Sequence, residues 1–470
     1  MTGKFFLRKK KLFLQKSMII LFWLCVWQIV AVFTHNNILL VGPVQVAKAF
    51  LNNIAGEDFI RIILYSFGRI GLGFFAAFTC ALLLGALSYR HTLTEMFLAP
   101  LITMLKSIPV ASFVVLLLIW FGSSNLSFFI SFLIVFPNIY VNTIAGLKST
   151  DRQLLEMAQV FDISGRNLFY YLYRPALMPY LLSCLRISLG MSWKSGVAAE
   201  VIGMPSYSLG ERLYMSKIYL DTAGLFAWTL VVILLSFLFE KAVLYLGRRY
   251  AEWKPRPHLG RQKNAKTEES KKASLYINGI EKTYGTQKVL KNFSLTMEYG
   301  GHYCLMAPSG GGKTTLLRIL NGLEQADGGV TEGIPEHIGM VFQEDRLCEA
   351  YDVISNIMLT ARRGEKGMTA LQVKEEALKL LPEECLTKPV SELSGGMRRR
   401  CAILRAMLSD SDIIMMDEPF TGLDEENRRK AAAYILERLH GRTLLVTTHR
   451  NEDVELLEAV RVELQVEKGA

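Results

Sequence analysis

The sequence lacks any Cys-x-x-Cys pair. Its seven cysteines are scattered along the chain, at positions 25, 80, 184, 304, 348, 385 and 401. Cysteine metal sites and disulfide frameworks show closely spaced pairs or regular spacings. The pattern therefore favours free buried thiols over a structural metal site or a fold stabilised by disulfide bonds.

Two further features are missing. No internal repeat is visible, which predicts a single copy of each domain in the chain. No small-x-small cleavage site follows the first apolar stretch, where Thr34-His35-Asn36-Asn37 is a poor candidate. A secretory signal peptide needs such a site. We therefore interpret the first apolar stretch as an uncleaved membrane helix.

Nucleic acid is disfavoured as a partner, although the formal net charge is +10. Basic residues cluster just before the first apolar stretch, as is typical of the cytoplasmic flank of a membrane span. They are Lys4, Arg8, Lys9, Lys10, Lys11 and Lys16. No basic groove interleaved with aromatic residues follows, as a nucleic-acid surface would need. We predict a cytoplasmic N-terminal segment over residues 1–17 and no nucleic-acid partner.

Apolar residues make up 51% of the chain and are concentrated before residue 247. A membrane span needs roughly 20 of them. We predict six spans, although the first is short and the fifth contains Arg186, Lys194 and Glu200. They lie near residues 18–34, 67–88, 97–121, 126–147, 181–204 and 223–246. Basic inner loops and an uncharged outer turn at 122–125 agree with an even number of spans.

These spans predict a multi-pass transmembrane domain over residues 18–249 in the plasma membrane of a bacterium, with the lipid bilayer as partner. Charged residues inside spans are functional candidates by default. Lys106, Arg186, Lys194 and Glu200 qualify. Each has a purely structural alternative, in which the side chain extends to the membrane–water interface or pairs with another residue inside the domain. Lys194 with Glu200 is one such expected pair.

The composition changes after the last span. Residues 250–272 lack a periodic apolar pattern and have the composition of a solvated linker. From residue 273 to 470, short β-rich runs alternate with helical segments, as in an α/β domain.

A phosphate-binding loop is predicted at residues 307–315, which read Ala-Pro-Ser-Gly-Gly-Gly-Lys-Thr-Thr. Backbone N–H groups and a helix N-terminus surround the phosphates in such a loop. Lys313 is expected to reach the β- and γ-phosphates, and Thr314 to ligate Mg²⁺. Ala307 replaces the usual first glycine, which is tolerated if φ stays below zero there. The predicted nucleotide-binding residues are Ser309, Gly310, Gly311, Gly312, Lys313, Thr314 and Thr315.

Polar side chains follow three predicted strands in the same half. Asp417 and Glu418 come after the apolar run 413–416, as a candidate Mg²⁺ ligand and a candidate general base. Gln343 ends the run 338–342, and His449 ends the strand 444–448. In an α/β sheet nucleotides bind at the C-terminal ends of strands. Taken singly, each of these residues could be a surface polar residue or a helix cap; as a set they predict a nucleotide site.

A second anion site is predicted where residues 393–400 read Leu-Ser-Gly-Gly-Met-Arg-Arg-Arg. Ser-Gly-Gly before a helix presents backbone amides at a helix N-terminus. Because the first loop already surrounds the phosphates from its own side, a second site makes sense if it covers the nucleotide of a partner. We predict this contact for Ser394, Gly395 and Gly396.

On these motifs, residues 273–470 resemble the ATP-binding subunit of ABC transporters, an α/β P-loop NTPase domain with a helical subdomain. The resemblance implies ATP and Mg²⁺ as cofactors and a homodimer, with Ser-Gly-Gly of one copy closing over the ATP of the other. It implies adenine stacking by Tyr284 and catalytic roles for Glu418, Gln343 and His449. Thr314, Gln343 and Asp417 would hold Mg²⁺, and Gly422-Leu423-Asp424 would contact the partner. Ser394-Gly395-Gly396 corresponds to the signature of this family, in which Met397 replaces the commoner glutamine. Tyr284 has an alternative role as an ordinary aromatic residue on a strand edge.

The first half resembles the permeases of ABC importers, of type I architecture. Residues 156–179 resemble their coupling loop, with Pro175 and Pro179 expected to break helices and Asp162 standing where glycine is usual. A short amphipathic helix is expected over 165–173. Leu105–Pro109, Trp120–Gly122 and Ala198–Gly203 resemble permeases for nitrate, sulfonates, taurine and thiamine precursors.

Three hypotheses follow. The first is ATP-driven import of a small solute by a homodimer that works with a separate extracytoplasmic binding protein, the ATPase domains being cytoplasmic. The second is a half-size exporter, which shares the order of domains but needs roughly 300 residues before its ATPase. The third is a mechanotransducing ABC protein, which would need fewer spans and a large extracellular domain.

Overall fold

The computed structural model describes residues 2–257, 274–308, 310–361 and 368–464, with side chains from residue 14 onward. Most of the predicted linker and Ser309 lie outside these ranges. The chain divides into two compact units. One comprises Met1–Ser149 and Leu177–Glu252, and the other comprises Thr150–Ala176 and Trp253–Ala470. Residues 150–176, which lie between the fourth and fifth predicted spans, thus belong to the second unit.

Helices follow one another over the first 252 residues, with a π-helical turn at Phe169–Tyr173 between the seventh and the eighth. In chain order they are α1 (Thr2–Thr34), α2 (Pro43–Ile54), α3 (Phe59–Arg90), α4 (Thr92–Ser107), α5 (Val110–Lys148), α6 (Arg152–Val160), α7 (Gly165–Leu168), α8 (Arg174–Gly203), α9 (Leu209–Ile218) and α10 (Thr222–Glu252).

Four helices in the described part of the chain are long and apolar enough to cross a membrane. They are Leu14–Thr34 of α1, Phe59–Arg90, Val110–Lys148 and Thr222–Glu252. The first, second, fourth and sixth predicted spans fall within them. The fifth predicted span, 181–204, lies almost entirely within α8. Four charged side chains lower the hydropathy of this helix, namely Arg174, Arg186, Lys194 and Glu200.

The predicted third span over 97–121 is wrong. Its first part belongs to α4, which ends at Ser107, and its last part begins α5 at Val110. Pro109 separates the two helices, because a proline disfavours helical geometry in the residue before it. Gly122 then interrupts α5 with φ 71° and ψ 175°, at the start of the predicted outer turn.

Small residues pack the helices of the first unit closely. A Cβ added at Gly73 of α3 would lie 2.4 Å from the Phe128 carbonyl oxygen of α5, so only glycine fits.

Glu200 is fully buried and accepts a hydrogen bond from Ser66 Oγ at 2.8 Å. The expected Lys194–Glu200 pair is therefore wrong. Six helical residues separate the two by about 240° around α8, which leaves Lys194 exposed.

The second unit contains two sheets. The antiparallel sheet has the order β2-β1-β4, and the parallel sheet has the order β5-β6-β7-β3-β8. The strands are β1 (Leu275–Tyr284), β2 (Gln287–Met297), β3 (His302–Met306), β4 (Gly328–Glu332), β5 (Ile338–Val341), β6 (Ile413–Asp417), β7 (Thr443–Thr448) and β8 (Val460–Glu463). The strands predicted before Gln343, Asp417 and His449 are thereby confirmed.

Helices complete this unit. They are α11 (Lys313–Leu320), α12 (Val353–Met358), α13 (Ala370–Ala377), α14 (Gly395–Met407), α15 (Glu425–Leu439) and α16 (Asn451–Leu456). Every residue of β5, β6 and β7 is buried, because apolar clusters cover both faces of the parallel sheet. The C-terminal ends of these strands therefore meet at one edge, beside the start of α11.

Candidate functional site

The phosphate-binding loop lies between β3 and α11. Gly310 and Gly312 have φ of +79° and +89°, a region that favours glycine. Ala307 does not adopt a positive φ, so the backbone tolerates alanine in place of the usual glycine. The side chain of Lys313 is buried, and its Nζ donates to the Ala307 carbonyl oxygen at 2.6 Å. The Lys313 ammonium group thus binds carbonyl oxygens of the loop. In the presence of nucleotide, phosphate oxygens would take the place of these carbonyl oxygens as its acceptors.

Asp417 ties this loop to the neighbouring strands. Its Oδ2 accepts a 2.7 Å hydrogen bond from Thr314 Oγ1, and its Oδ1 accepts a 2.5 Å hydrogen bond from Thr447 Oγ1. The Asp417 side chain is buried at the end of β6. A carboxylate and a hydroxyl oxygen within hydrogen-bond distance are donors that Mg²⁺ prefers. Thr314 and Asp417 therefore fit the predicted role of metal ligands. Gln343, the third predicted ligand, lines a cavity together with both of them.

Glu418 and His449 lie close together at the strand ends. The Glu418 Oε1 atom is 3.6 Å from His449 Nδ1. Glu418 has φ +48°, and its N–H donates to the Thr447 carbonyl oxygen at 3.1 Å. A left-handed backbone is uncommon for glutamate and is found where surrounding contacts enforce it. The Glu418 carboxylate therefore lies next to the histidine, directly after the end of β6.

Gln343 is exposed at the end of β5 and borders a cavity of about 270 Å³. Thr314 and Asp417 line the same cavity, as do Glu156 and Arg318. The predicted Mg²⁺ residues and the segment 150–176 therefore share one opening.

Tyr284 is 47% exposed at the end of β1. Its hydroxyl donates to Glu324, and Lys282 Nζ lies 5.6 Å from the centre of its ring. Desolvation and the hydrogen bond to Glu324 raise the pKa of Tyr284, so the phenol stays neutral. The exposed ring face remains compatible with base stacking, the role that the sequence predicts.

Ser394, Gly395 and Gly396 form the start of α14. Ser394 is the N-cap, and its Oγ accepts a hydrogen bond from the Met397 N–H at 3.4 Å. Ser394 and Gly395 are exposed, and a Cβ at Gly395 would meet nothing within 4 Å. The start of α14 is therefore exposed to solvent, as a contact with a second chain requires.

The segment 150–176 packs into the nucleotide-binding unit through α6. The Glu156 carboxylate accepts hydrogen bonds of 2.9 Å from Arg318 Nη1 and from Arg346 Nη1. Hydrogen bonding from Arg318, followed by its charge and by Arg346, holds the pKa of Glu156 below its ordinary value. Arg318 lies on α11, the helix of the phosphate-binding loop. The ion pair therefore joins the predicted coupling loop to the nucleotide site.

The rest of this segment differs in part from the prediction. The expected short helix over 165–173 is present as α7 and the π-helical turn. Pro175 lies in the first turn of α8 and Pro179 inside it, so the prediction that they break helices is wrong. A proline N–H is not needed in a first turn, and α8 continues through Pro179. Asp162 has φ +45°, which agrees with glycine being usual at this position.

Three contributions were not predicted from the sequence. Thr447 is an unremarkable strand residue, yet its hydroxyl fixes Asp417. Arg346 holds Glu156 across about 190 residues, a separation for which no local pattern gives a signal. Arg399 is buried in α14, and burial lowers the pKa of its guanidinium while Asp345 opposes that change. It donates to several carbonyl oxygens beside the site.

Two family profiles match the chain. The one described as ABC transporter matches residues 290–421, and the one described as Binding-protein-dependent transport system inner membrane component matches residues 70–252. One match lies in each half of the chain.

Similar proteins share the second half. The Nod factor export ATP-binding protein I of Ralstonia nicotianae is 36% identical over 203 residues, which is 39% of this chain and 61% of that protein. The aliphatic sulfonates import ATP-binding protein SsuB 1 of Rhodococcus jostii is 39% identical over 207 residues, which is 42% of this chain and 80% of that protein. The chain spans 61% to 66% of the length of several Nod factor export proteins.

Among solved structures, a dimeric bacterial ABC transporter cassette is 27% identical, with a TM-score of 0.36 over 40% of this chain and 94% of that chain. The matched profiles agree with the motifs and with the apolar helices that precede them. The chain is a membrane protein of the ABC transporter family, in which a permease-type inner membrane component and an ABC ATP-binding domain form one polypeptide.

Proposed function

We propose that this protein is an ATP-driven importer of a small solute and acts as a homodimer. The observation that carries the proposal is the Glu156 contact with Arg318 and Arg346. It places part of a loop between membrane helices against the helix that follows the phosphate-binding loop. A change in α11 on nucleotide binding would then act directly on the permease half.

The residues of the site support ATP hydrolysis. Lys313 and the amides of Gly310, Gly311, Gly312, Thr314 and Thr315 would bind the phosphates, as would Ser309 from its place in the sequence. Tyr284 would stack on adenine. Glu418 would polarise the attacking water, with His449 and Gln343 near the γ-phosphate. Thr314, Asp417 and Gln343 would hold Mg²⁺, which supplies charge neutralisation at the phosphates.

The start of α14 supports a dimer. Ser394 and Gly395 are exposed, and their amides are those of a helix N-terminus, which favours anions. In the proposed assembly these amides cover the ATP bound by the second chain. Each dimer would then contain two equivalent composite sites, since every chain carries its own Lys313, Glu418 and Ser394.

Import with a binding protein is the favoured direction. The profile matched by residues 70–252 describes binding-protein-dependent systems, and the Rhodococcus relative is named as a sulfonate import protein. We propose a small solute of the sulfonate, taurine, nitrate or thiamine-precursor class, delivered by an extracytoplasmic binding protein. Export is the second candidate, because the Ralstonia relative is named as an export protein.

A complementation experiment tests the dimer. One chain carries Lys313→Ala, which disables its phosphate-binding loop, and the other carries Ser394→Arg, which blocks its signature. If the signature acts across the dimer, the mixed dimer contains one intact composite site, and ATPase activity returns to about half. If each signature acted on its own chain, no intact site would exist and the mixed dimer would remain inactive.

The direction of transport is tested on the full chain in nanodiscs. A binding protein identified by cross-linking in cells is added on the outer side while ATPase activity is measured. Strong stimulation by the loaded binding protein supports import. Stimulation by lipophilic compounds alone, with no response to the binding protein, would support export instead.

A further inference from the structure

The side chain of Arg399 joins the two loops that carry Gln343 and Glu418. It lies on α14, five residues after Ser394, and is 3% exposed. Its Nη2 donates at 2.6 Å to the carbonyl oxygens of both Asp417 and Glu418, and its Nε donates at 3.0 Å to that of Pro419. One guanidinium thus binds three consecutive carbonyl groups around Glu418.

The same guanidinium reaches the end of β5. Its Nη1 donates to the Phe342 carbonyl oxygen at 2.5 Å and to the Gln343 carbonyl oxygen at 3.2 Å. A weaker contact of 3.4 Å joins Nη1 to Asp345 Oδ1. A planar guanidinium presents five N–H donors in a fixed arrangement. The ends of β5 and β6 are therefore held at one separation and one orientation.

We propose that Arg399 is a positioning residue for ATP hydrolysis, which sets the backbone of Glu418 and Gln343 in its own chain. The inference rests on the proposed function of the site, but differs from the role of the signature itself. Ser394 at the start of α14 would act on the nucleotide of the partner. Arg399, farther along the same helix, acts through Glu418 and Gln343 on hydrolysis of the nucleotide bound by its own phosphate-binding loop.

The strained backbone of Glu418 explains why such a residue is needed. Glu418 has φ +48°, which ordinary residues adopt only when their surroundings enforce it. Its N–H is held by the Thr447 carbonyl oxygen and its carbonyl by Arg399. A general base misplaced by about 1 Å loses on the order of 100-fold in rate. Loss of the arginine leaves one of these two restraints.

The test uses Arg399→Gln and a matched control, Arg442→Gln. Arg442 also donates to backbone carbonyls, namely those of Leu439, Met407, Arg438 and Ser409. It directly precedes β7, whereas His449 directly follows that strand. Both substitutions remove a guanidinium bound to several carbonyls, but only the first removes contacts to Gln343 and Glu418.

In the homodimer we expect Arg399→Gln to lower kcat for ATP by about 10- to 100-fold, with KM and the equilibrium binding of ATP changed less than threefold. Arg442→Gln should leave kcat within about threefold. Equal losses of kcat in both variants, or a loss of ATP binding that accounts for the lower rate, would overturn the proposal. Arg399→Lys, which keeps the charge and one donor group, should recover part of kcat.

The mixed dimer of the complementation experiment then assigns the effect to one chain. Its intact site uses Glu418 of the Ser394→Arg chain. We expect Arg399→Gln to lower the restored activity strongly when placed in that chain, and far less in the Lys313→Ala chain. The reverse asymmetry would show that Arg399 serves the signature, and would overturn the proposal. Failure to restore activity with Arg399 intact would instead refute the action of the signature across the dimer, and the kinetics of the protein with Arg399→Gln in every chain would still decide the role of Arg399.

Discussion

Thr314 Oγ1 donates a 2.7 Å hydrogen bond to Oδ2 of Asp417, which joins the start of α11 to the end of β6. The two residues are separated by 103 positions in the chain. Both oxygens are ligands suited to Mg²⁺, so the contact lies where a metal bound to nucleotide phosphates would link the same two elements. Two of the proposed Mg²⁺ ligands are therefore adjacent within one chain.

Glu418→Gln should abolish turnover and leave the fold intact. Glutamine keeps the shape of the side chain but cannot accept a proton, and general bases contribute typically about 10²- to 10⁴-fold in rate. We expect ATP to bind and stay bound, and ATPase assays with a measurement of trapped nucleotide to show this. Glu425→Gln, an exposed carboxylate on α15, is the control. Retained multiple turnover in Glu418→Gln would remove Glu418 from the mechanism.

Lys313→Ala should weaken the binding of ATP itself. The ammonium group is buried and faces the loop carbonyls, so its loss removes a charge-assisted contact to phosphate. Such hydrogen bonds contribute about 1.5–3 kcal/mol, which corresponds to about a 10- to 150-fold higher Kd. Equilibrium binding of labelled ATP to the full chain measures this change. An unchanged Kd with lost turnover would restrict Lys313 to the chemical step.

Most of the nucleotide site was predictable from the sequence, because its motifs are local. Gly310–Thr315 and Ser394–Gly396 are each proposed to act through consecutive backbone amides, so residue type and order suffice to predict them. Asp417 and His449 were found because buried apolar runs predict parallel strands, whose C-terminal ends meet at one edge. Each of these inferences needs only a few neighbouring residues.

The remaining features depend on contacts between distant residues. Glu156 meets Arg318 and Arg346 across 162 and 190 positions, and Arg399 meets Phe342 across 57. Taken alone, the carboxylate of Glu156 and the guanidinium groups of Arg318, Arg346 and Arg399 are of types common on solvated surfaces. The misplaced third span has another cause. Hydropathy does not detect the break between α4 and α5 at Pro109, because apolar residues predominate on both sides of it.

Replacing Tyr284 distinguishes stacking from a structural role. Tyr284→Ala should raise the Kd for ATP by about 5- to 150-fold, since stacking of a base on an aromatic ring contributes about 1–3 kcal/mol. Tyr284→Phe keeps the ring and loses only the hydrogen bond to Glu324, so most of the affinity should remain. Comparison of ATP with inorganic triphosphate in the same binding assay isolates the base. Equal losses of affinity for both ligands would contradict stacking.

Glu156→Gln tests the link between the two halves of the protein. At neutral pH the substitution removes charge-assisted hydrogen bonds from Arg318 and Arg346, each worth about 1.5–3 kcal/mol, and should lower the thermal unfolding temperature of the full chain. Solute uptake per ATP hydrolysed should fall as well. Glu383→Gln is the control, because that carboxylate pairs with Lys374 while 72% exposed, and exposed pairs contribute little.

The pH dependence of Glu156→Gln follows from the direction of the pKa shift. The pKa of Glu156 is below its ordinary value of 4.5 in the folded protein, so the unfolded chain takes up its proton first on acidification. The stability contributed by the ionised carboxylate is therefore complete above about pH 4.5 and is lost as the pH falls through the lowered pKa. The difference in unfolding temperature between the unmodified chain and Glu156→Gln should shrink in that window. A difference that stays constant from pH 7 to pH 3 would show that the charge of Glu156 does not stabilise the contact.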